Sequence, residues 1–182
     1  MIYHSVAEIF REIDQTRAKL NEIVSPLNES EAGFRPAENS WTVAELVEHL
    51  AKTETSLVPL VFRLLKNAEA DGKASDGTIN PPVSLVDEHE RIKDTKLQAP
   101  EMIRPEGAEQ ISESLVKLGE SRSAIRGLRA RLEAVDLSNT AFPHPFLGKL
   151  NLYQWLAFIG LHEARHLAQI EKILARKRAQ SN

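Results

Sequence analysis

Four stretches of this chain carry apolar residues at helical spacing over many turns, and no stretch reads as a pair of alternating strands. That pattern constrains the fold more than any other. The first stretch opens with Ser5 and Glu8 spaced as a capping box, turns Ile9, Ile13, Leu20 and Val24 inward, and ends near Pro26 to Asn28. The second begins at Thr42, with Glu45 closing another box, and its stripe runs Leu46, His49, Leu50, Thr53, Leu57, Leu60 and Leu64, with a kink expected at Pro59. A third runs from about Glu109 to Val135 through Ile111, Leu115, Leu118, Ile125 and Leu132. The fourth runs from Asn151, with Gln154 at the box position, to about Arg178, and turns Leu152, Trp155, Leu156, Ile159, Ile170 and Ile173 inward. Helices of this length with no sheet to pack on predict an all-α four-helix bundle. A length of 182 residues suits one domain spanning positions 1–182. The connection from Glu69 to Glu106, with Gly72, Gly77, Pro81, Pro82, Pro100 and Pro105, is too long for a tight turn and predicts a crossover between helices two and three. Within it, Ser84 to Lys93 reads as a short helix with a solvated charged face.

Composition narrows the function. A net charge of -3 with scattered Lys and Arg offers no footprint for a phosphate backbone or an anionic membrane, so neither nucleic acid nor membrane is expected as a partner. Met1 to Leu20 is interrupted by Glu8, Arg11, Glu12, Asp14 and Arg17, and no apolar run reaches a membrane-spanning length, which predicts a soluble cytoplasmic protein. Cysteine is absent, which removes disulfides, Cys-type zinc sites, iron–sulfur clusters and a protein thiol nucleophile together. Thiol chemistry would need a thiol from outside.

The chemistry concentrates in His162-Glu163-Ala164-Arg165-His166, where two histidines four apart face the same way on a helix. Composition alone would produce roughly 0.2 such pairs, so spacing is weak evidence and context decides. Both histidines fall on the inward stripe of the fourth helix, where two imidazoles on successive turns are hard to satisfy with backbone groups the helix already uses. A shared cation satisfies both; core histidines bonded to neighbouring side chains or water are the alternative. His49 is the only other histidine on a core stripe, and it can meet the pair from a facing helix. Three histidines on one metal leave a coordination position open, as in a catalytic site.

The five residues also spell H-E-x-x-H, in which the glutamate of a zinc protease is the general base. After His166 the chain holds only Glu171 as an acidic residue and no further histidine, so the usual downstream third ligand is missing. A ferritin-like di-iron centre needs two Glu-x-x-His pairs, and only Glu163 with His166 has that spacing. Bis-histidine haem would leave one of the three histidines unexplained.

Trp41-Thr42-Val43-Ala44-Glu45 leading to His49-Leu50, the loop-helix run His144-Pro145-Phe146-Leu147-Gly148-Lys149-Leu150, then Trp155, His162, His166 and Gln169, together resemble the DinB-like superfamily over nearly the whole chain. The resemblance implies an up-down-down-up bundle, often a homodimer, with a divalent metal such as zinc or nickel on His49, His162 and His166. It further implies a small-molecule substrate and transfer of a low-molecular-weight thiol to an electrophile; a thiol bound to a metal with an open position is held as thiolate at neutral pH. A hydrolase whose metal-bound water is the nucleophile, and a non-catalytic binding bundle with a structural metal, are the alternatives.

Other polar residues carry two readings each. Glu163, one residue off the histidine face, is either a general base or an interhelical partner. Gln169 either orients a ligand or packs helices, and Glu45 either caps or supports His49. Arg122 interrupts the third stripe and is expected to reach solvent along its aliphatic stem. Trp41, Trp155, Phe146 and Phe158 either line a pocket or fill the core, with core the expectation. His4, His89 and His144, at a terminus or in loops, are not expected to be ligands.

Overall fold

The structure, a computed structural model, describes residues 1–85, 98–107 and 109–180. Four long helices dominate it: α1 (Val6–Val24), α2 (Val43–Asp71), α3 (Ile111–Gly127) and α4 (Leu152–Gln180). Their starts follow the expected caps. Thr42 and Glu45 close a full capping box on α2, and Asn151 and Gln154 bond reciprocally at the start of α4. At α1 only half the box forms: Ser5 accepts from the Glu8 N–H, while the Glu8 carboxylate accepts from His4 N–H instead. Helix α2 runs through Pro59 and is capped by Gly72, whose φ of 69° suits a glycine.

Ion pairs and contacts between helices give their directions. Residues 13, 17 and 19 of α1 meet residues 160, 163 and 171 of α4, so the two run parallel. Glu54 of α2 meets Ser121 and Arg122, and Glu69, near its end, meets Arg131, so α2 and the third helical segment also run parallel. Ile13 meets Arg122 whereas Arg17 meets Leu118, which makes α1 and α3 antiparallel. The order is therefore up-down-down-up, and the long crossover is what lets α3 start again beside the start of α2.

Three expectations need correction. Paired strands do exist: β1 (Ile2–Ser5) lies antiparallel to β2 (Thr78–Ser84) with Tyr3 opposite Val83, and β3 (Ala141–His144) pairs with β4 (Gly148–Asn151). The first pair escapes a sequence reading because its two short strands are some seventy residues apart and one of them holds Pro81 and Pro82. The second occupies the stretch expected as a loop-helix run; Gly148, at φ 82°, opens its return strand. The third helix is not continuous from Glu109 to Val135. Gly127, a poor helix former, precedes Leu128 at φ -90° and ψ -7°, after which a short separate helix covers Arg129–Ala134. The short helix expected at Ser84 to Lys93 lies mostly outside the described residues; Ser84 itself ends β2.

The apolar core divides into two clusters. One gathers Ile9, Phe10, Ile13, Leu65, Leu156 and Ile159; the other gathers Leu20, Val24, Val47, Leu118, Ile170 and Leu174. Between them lie buried polar groups from all four helices, Arg17, Glu54, Arg122 and Glu163 among them. No helix among the described residues is long and apolar enough to cross a membrane.

Candidate metal centre

His49 of α2 and His162 and His166 of α4 come together as their stripes predict. The His162 Nε2 lies 3.3 Å from His49 Nε2 and 3.2 Å from His166 Nε2. The outer two rings are fixed from behind. His49 Nδ1 is 2.7 Å from the Ile103 carbonyl oxygen, and His166 Nδ1 is 2.7 Å from Gln169 Oε1. A carbonyl or amide oxygen only accepts, so each Nδ1 carries the proton and each Nε2 presents its lone pair toward His162.

Burial keeps these rings neutral. It lowers the pKa of His166 to about 3 and that of His162 well below the ordinary value, where the neighbouring histidines add to the effect. Burial lowers His49 too, although the Ile103 carbonyl pulls the other way.

The donor set fits a divalent transition metal. The three ligand atoms lie within 4.8 Å of one another. Two nitrogens sharing a tetrahedral ion at about 2.05 Å would sit about 3.3 Å apart, close to the two separations seen. A single proton on His162 Nε2 can serve only one of the facing lone pairs at a time, so hydrogen bonding alone leaves the cluster incomplete.

The Ile103 carbonyl is held in place by two residues that the sequence reading did not single out. Buried Glu48, one position before His49, accepts from the N–H groups of Glu106 and Gly107 at 2.9 and 3.0 Å. Lys52, one turn on, donates to the Arg104 carbonyl and to Glu106. Together they fasten the end of the crossover to α2, and Ile103 arrives over His49. The available signal was a glutamate on an apolar stretch of α2, between Val47 and His49.

The triad opens on a cavity of about 1780 Å³. Trp41, Trp155, Phe146 and Phe158 all line it, and Trp155 and Phe158 also fill the core as expected. His144 lines it as well. Its Nδ1 accepts from the N–H groups of Phe146 and Leu147, each at 3.1 Å, so its proton sits on Nε2, and burial lowers its pKa to about 4. The hairpin carries His144 to the site, which no helical periodicity could reveal.

The remaining polar residues divide cleanly. Gln169 orients His166. Glu45 caps α2 and pairs with Arg35 at 2.7 Å. Glu163 faces away from the triad, is 2 % exposed, and bonds Arg17 and Arg122. Burial raises its pKa against the pull of those two arginines. Arg122 is not at the surface, contrary to expectation: it is 2 % exposed, grips Glu54 and Glu163, and donates to the Ile13 carbonyl. A long stem that might have snorkelled instead stays inside because two carboxylates on facing helices receive its charge.

A bundle in this order, with three imidazoles converging at the wall of a large cavity, defines a narrow class of helical protein. Residues 12–170 match the DinB superfamily, and the chain belongs to it. It is 26% identical to the protein YuaE of Bacillus subtilis over 153 residues, 81% of this chain and 85% of that one. It is 27% identical over 172 residues to a "Putative metal-dependent hydrolase" of Oceanobacillus iheyensis, covering 93% of this chain and 86% of the relative. Among solved structures, the four-helix bundle protein TT2238 superposes with a TM-score of 0.60 at 23% identity, covering 91% of this chain and 98% of that chain. YfiT of Bacillus subtilis, described as a probable metal-dependent hydrolase with an unusual four-helix bundle topology, superposes at 0.58 with 18% identity, covering 94% and 86%.

Proposed function

We propose that this protein is a metal-dependent enzyme acting on a small molecule, with His49, His162 and His166 as the ligands of one divalent transition metal, zinc or nickel. The observation that carries the reading is the set of three Nε2 atoms converging on one point at a cavity wall. A divalent ion there would supply a Lewis acid with an open position and would favour the ionised form of a thiol or water beside it. Ile103 and Gln169 hold two of the imidazoles in the tautomer that coordination needs. The aromatic walls exclude bulk water and offer apolar surface to an organic substrate.

Between reactions, we favour transfer of a low-molecular-weight thiol to an electrophilic carbon, the new carbon–sulfur bond forming as the leaving group departs with its electron pair. One feature supports it: a cavity of about 1780 Å³, above the roughly 300–1,000 Å³ that a single drug-sized ligand fills. Hydrolysis is the second reading, favoured by the printed descriptions of the Oceanobacillus iheyensis relative and of YfiT.

Elemental analysis of untagged protein tests the metal. About one equivalent of a transition metal in wild type and little in a His162→Ala/His166→Ala variant is expected; no metal in wild type after incubation with zinc and nickel overturns the reading. Product formation with and without added thiol then separates the two reactions, because a hydrolase turns over without it.

A further inference from the structure

Arginines that are buried or half-buried in this protein meet carboxylates. Arg17 and Arg122 bind Glu54 and Glu163, and Arg131 binds Glu69. Arg165 departs from the pattern. It is half-buried on the cavity wall, immediately before His166, and among the described residues it has no ion pair. A half-buried guanidinium gives up part of its hydration, and elsewhere in this chain a carboxylate repays that loss.

The charge around it points the same way. Arg63, Arg104 and Lys172 line the same cavity, and among the lining residues only Glu38 is acidic. The cavity is thus cationic in a chain whose net charge is -3. Arg165, Gln169 and Lys172 follow one another at helical spacing along α4, which sets the two cations about 10 Å apart on one face. Trp155 and Phe158 line the cavity from the same helix, roughly two to three turns before Arg165, and Trp41 lines it from just before α2.

We propose that the cavity selects organic anions, molecules with an apolar body and an oxyanion such as a carboxylate, and that Arg165 is the residue that binds the anion. This rests on the cavity being the substrate site of the metal enzyme proposed above. Arg63, Arg104 and Lys172 attract the ligand from the rim, the aromatic wall takes its body, and Arg165 fixes the charged end beside the triad. The fork of donors on its guanidinium suits a carboxylate better than a single ammonium would.

Two dyes with the same arylamine skeleton test this without knowledge of the substrate: 8-anilinonaphthalene-1-sulfonate and the uncharged N-phenyl-1-naphthylamine. Fluorescence titration of wild type should give at least tenfold tighter binding of the sulfonate, weakening as salt is added. Arg165→Gln should cost the sulfonate at least fivefold and change the neutral dye less than twofold. Lys19→Gln, which removes an exposed cation away from the cavity, should change neither. Equal affinities for the two dyes in wild type, or a parallel loss of both in Arg165→Gln with native circular dichroism, would overturn the inference. The titrations are made on metal-free protein and repeated after zinc loading, with metal content measured. Anion preference without metal binding would leave this inference standing and sink the metal reading. Metal binding without anion preference would do the reverse.

Discussion

His162 and Glu163 are consecutive residues of one helix, and they join two polar clusters with opposite characters. Glu163 completes a quartet in which Arg17 and Arg122 share the carboxylates of Glu54 and Glu163, and further bonds reach the Ser121 hydroxyl and the carbonyls of Leu118 and Ile13. Its formal charges cancel inside the fold. His162 completes a triad in which three Nε2 atoms face one another, more acceptors than the single proton on His162 can serve. A polar cluster that is complete within the chain is explained by the fold, whereas one that the chain leaves incomplete points to something the chain receives. That difference separates scaffold from site more securely than burial does, since Glu163 and His166 are both buried.

The largest expected effect comes from breaking the complete cluster. Glu54→Leu leaves two buried guanidiniums with one carboxylate, and should lower unfolding free energy by about 3–5 kcal/mol in urea denaturation, with or without zinc. His49→Ala in the metal-free protein should cost much less, because no charge loses its partner. If both variants lose the same stability without metal, the two clusters do not differ as argued.

Metal addition sharpens the contrast. Zinc held at a hundred times its Kd should raise the stability of wild type by about 2.7 kcal/mol, seen as a higher melting temperature. The His162→Ala/His166→Ala variant should gain little, while Glu54→Leu, starting lower, should gain as wild type does. A gain in the double variant equal to that of wild type would place the ion elsewhere.

Much of this was open to a reader of the sequence alone, for reasons visible in particular residues. His49, His162 and His166 lie on apolar stripes, and a stripe fixes both the helix and the direction its polar members face. The same logic failed where periodicity is absent. The β1–β2 pair joins the chain start to a proline-rich crossover, and His144 is carried to the cavity by a hairpin only four residues a side. Arg122 failed differently. Its stripe position was plain, but its fate depended on Glu54 and Glu163 from two other helices, and pairing between helices is invisible until the bundle is assembled.

A smaller effect belongs to the groups behind the triad. Gln169→Leu removes the acceptor that holds the His166 ring with its Nε2 inward, and should weaken zinc binding by about 10–100-fold in competition with a chromophoric chelator. Gln169→Glu keeps an acceptor and should retain most of the affinity. Unchanged affinity in Gln169→Leu would mean that packing alone orients the ring.

Acid distinguishes the clusters most gently. In the unfolded chain a histidine takes up its proton near pH 6.5, but burial holds His166 to about 3 and His144 to about 4 in the native protein. Between those limits the unfolded state binds more protons, so stability falls as pH falls. Each such group contributes a slope of at most about 1.4 kcal/mol per pH unit. Over pH 7 to 5 the loss expected from these histidines should show in metal-free protein. Urea midpoints across that range should therefore decline in wild type and decline less steeply in His166→Leu. A slope that His166→Leu leaves untouched would assign the acid sensitivity to groups outside the triad, and the claim that its rings are buried neutral would fall with it.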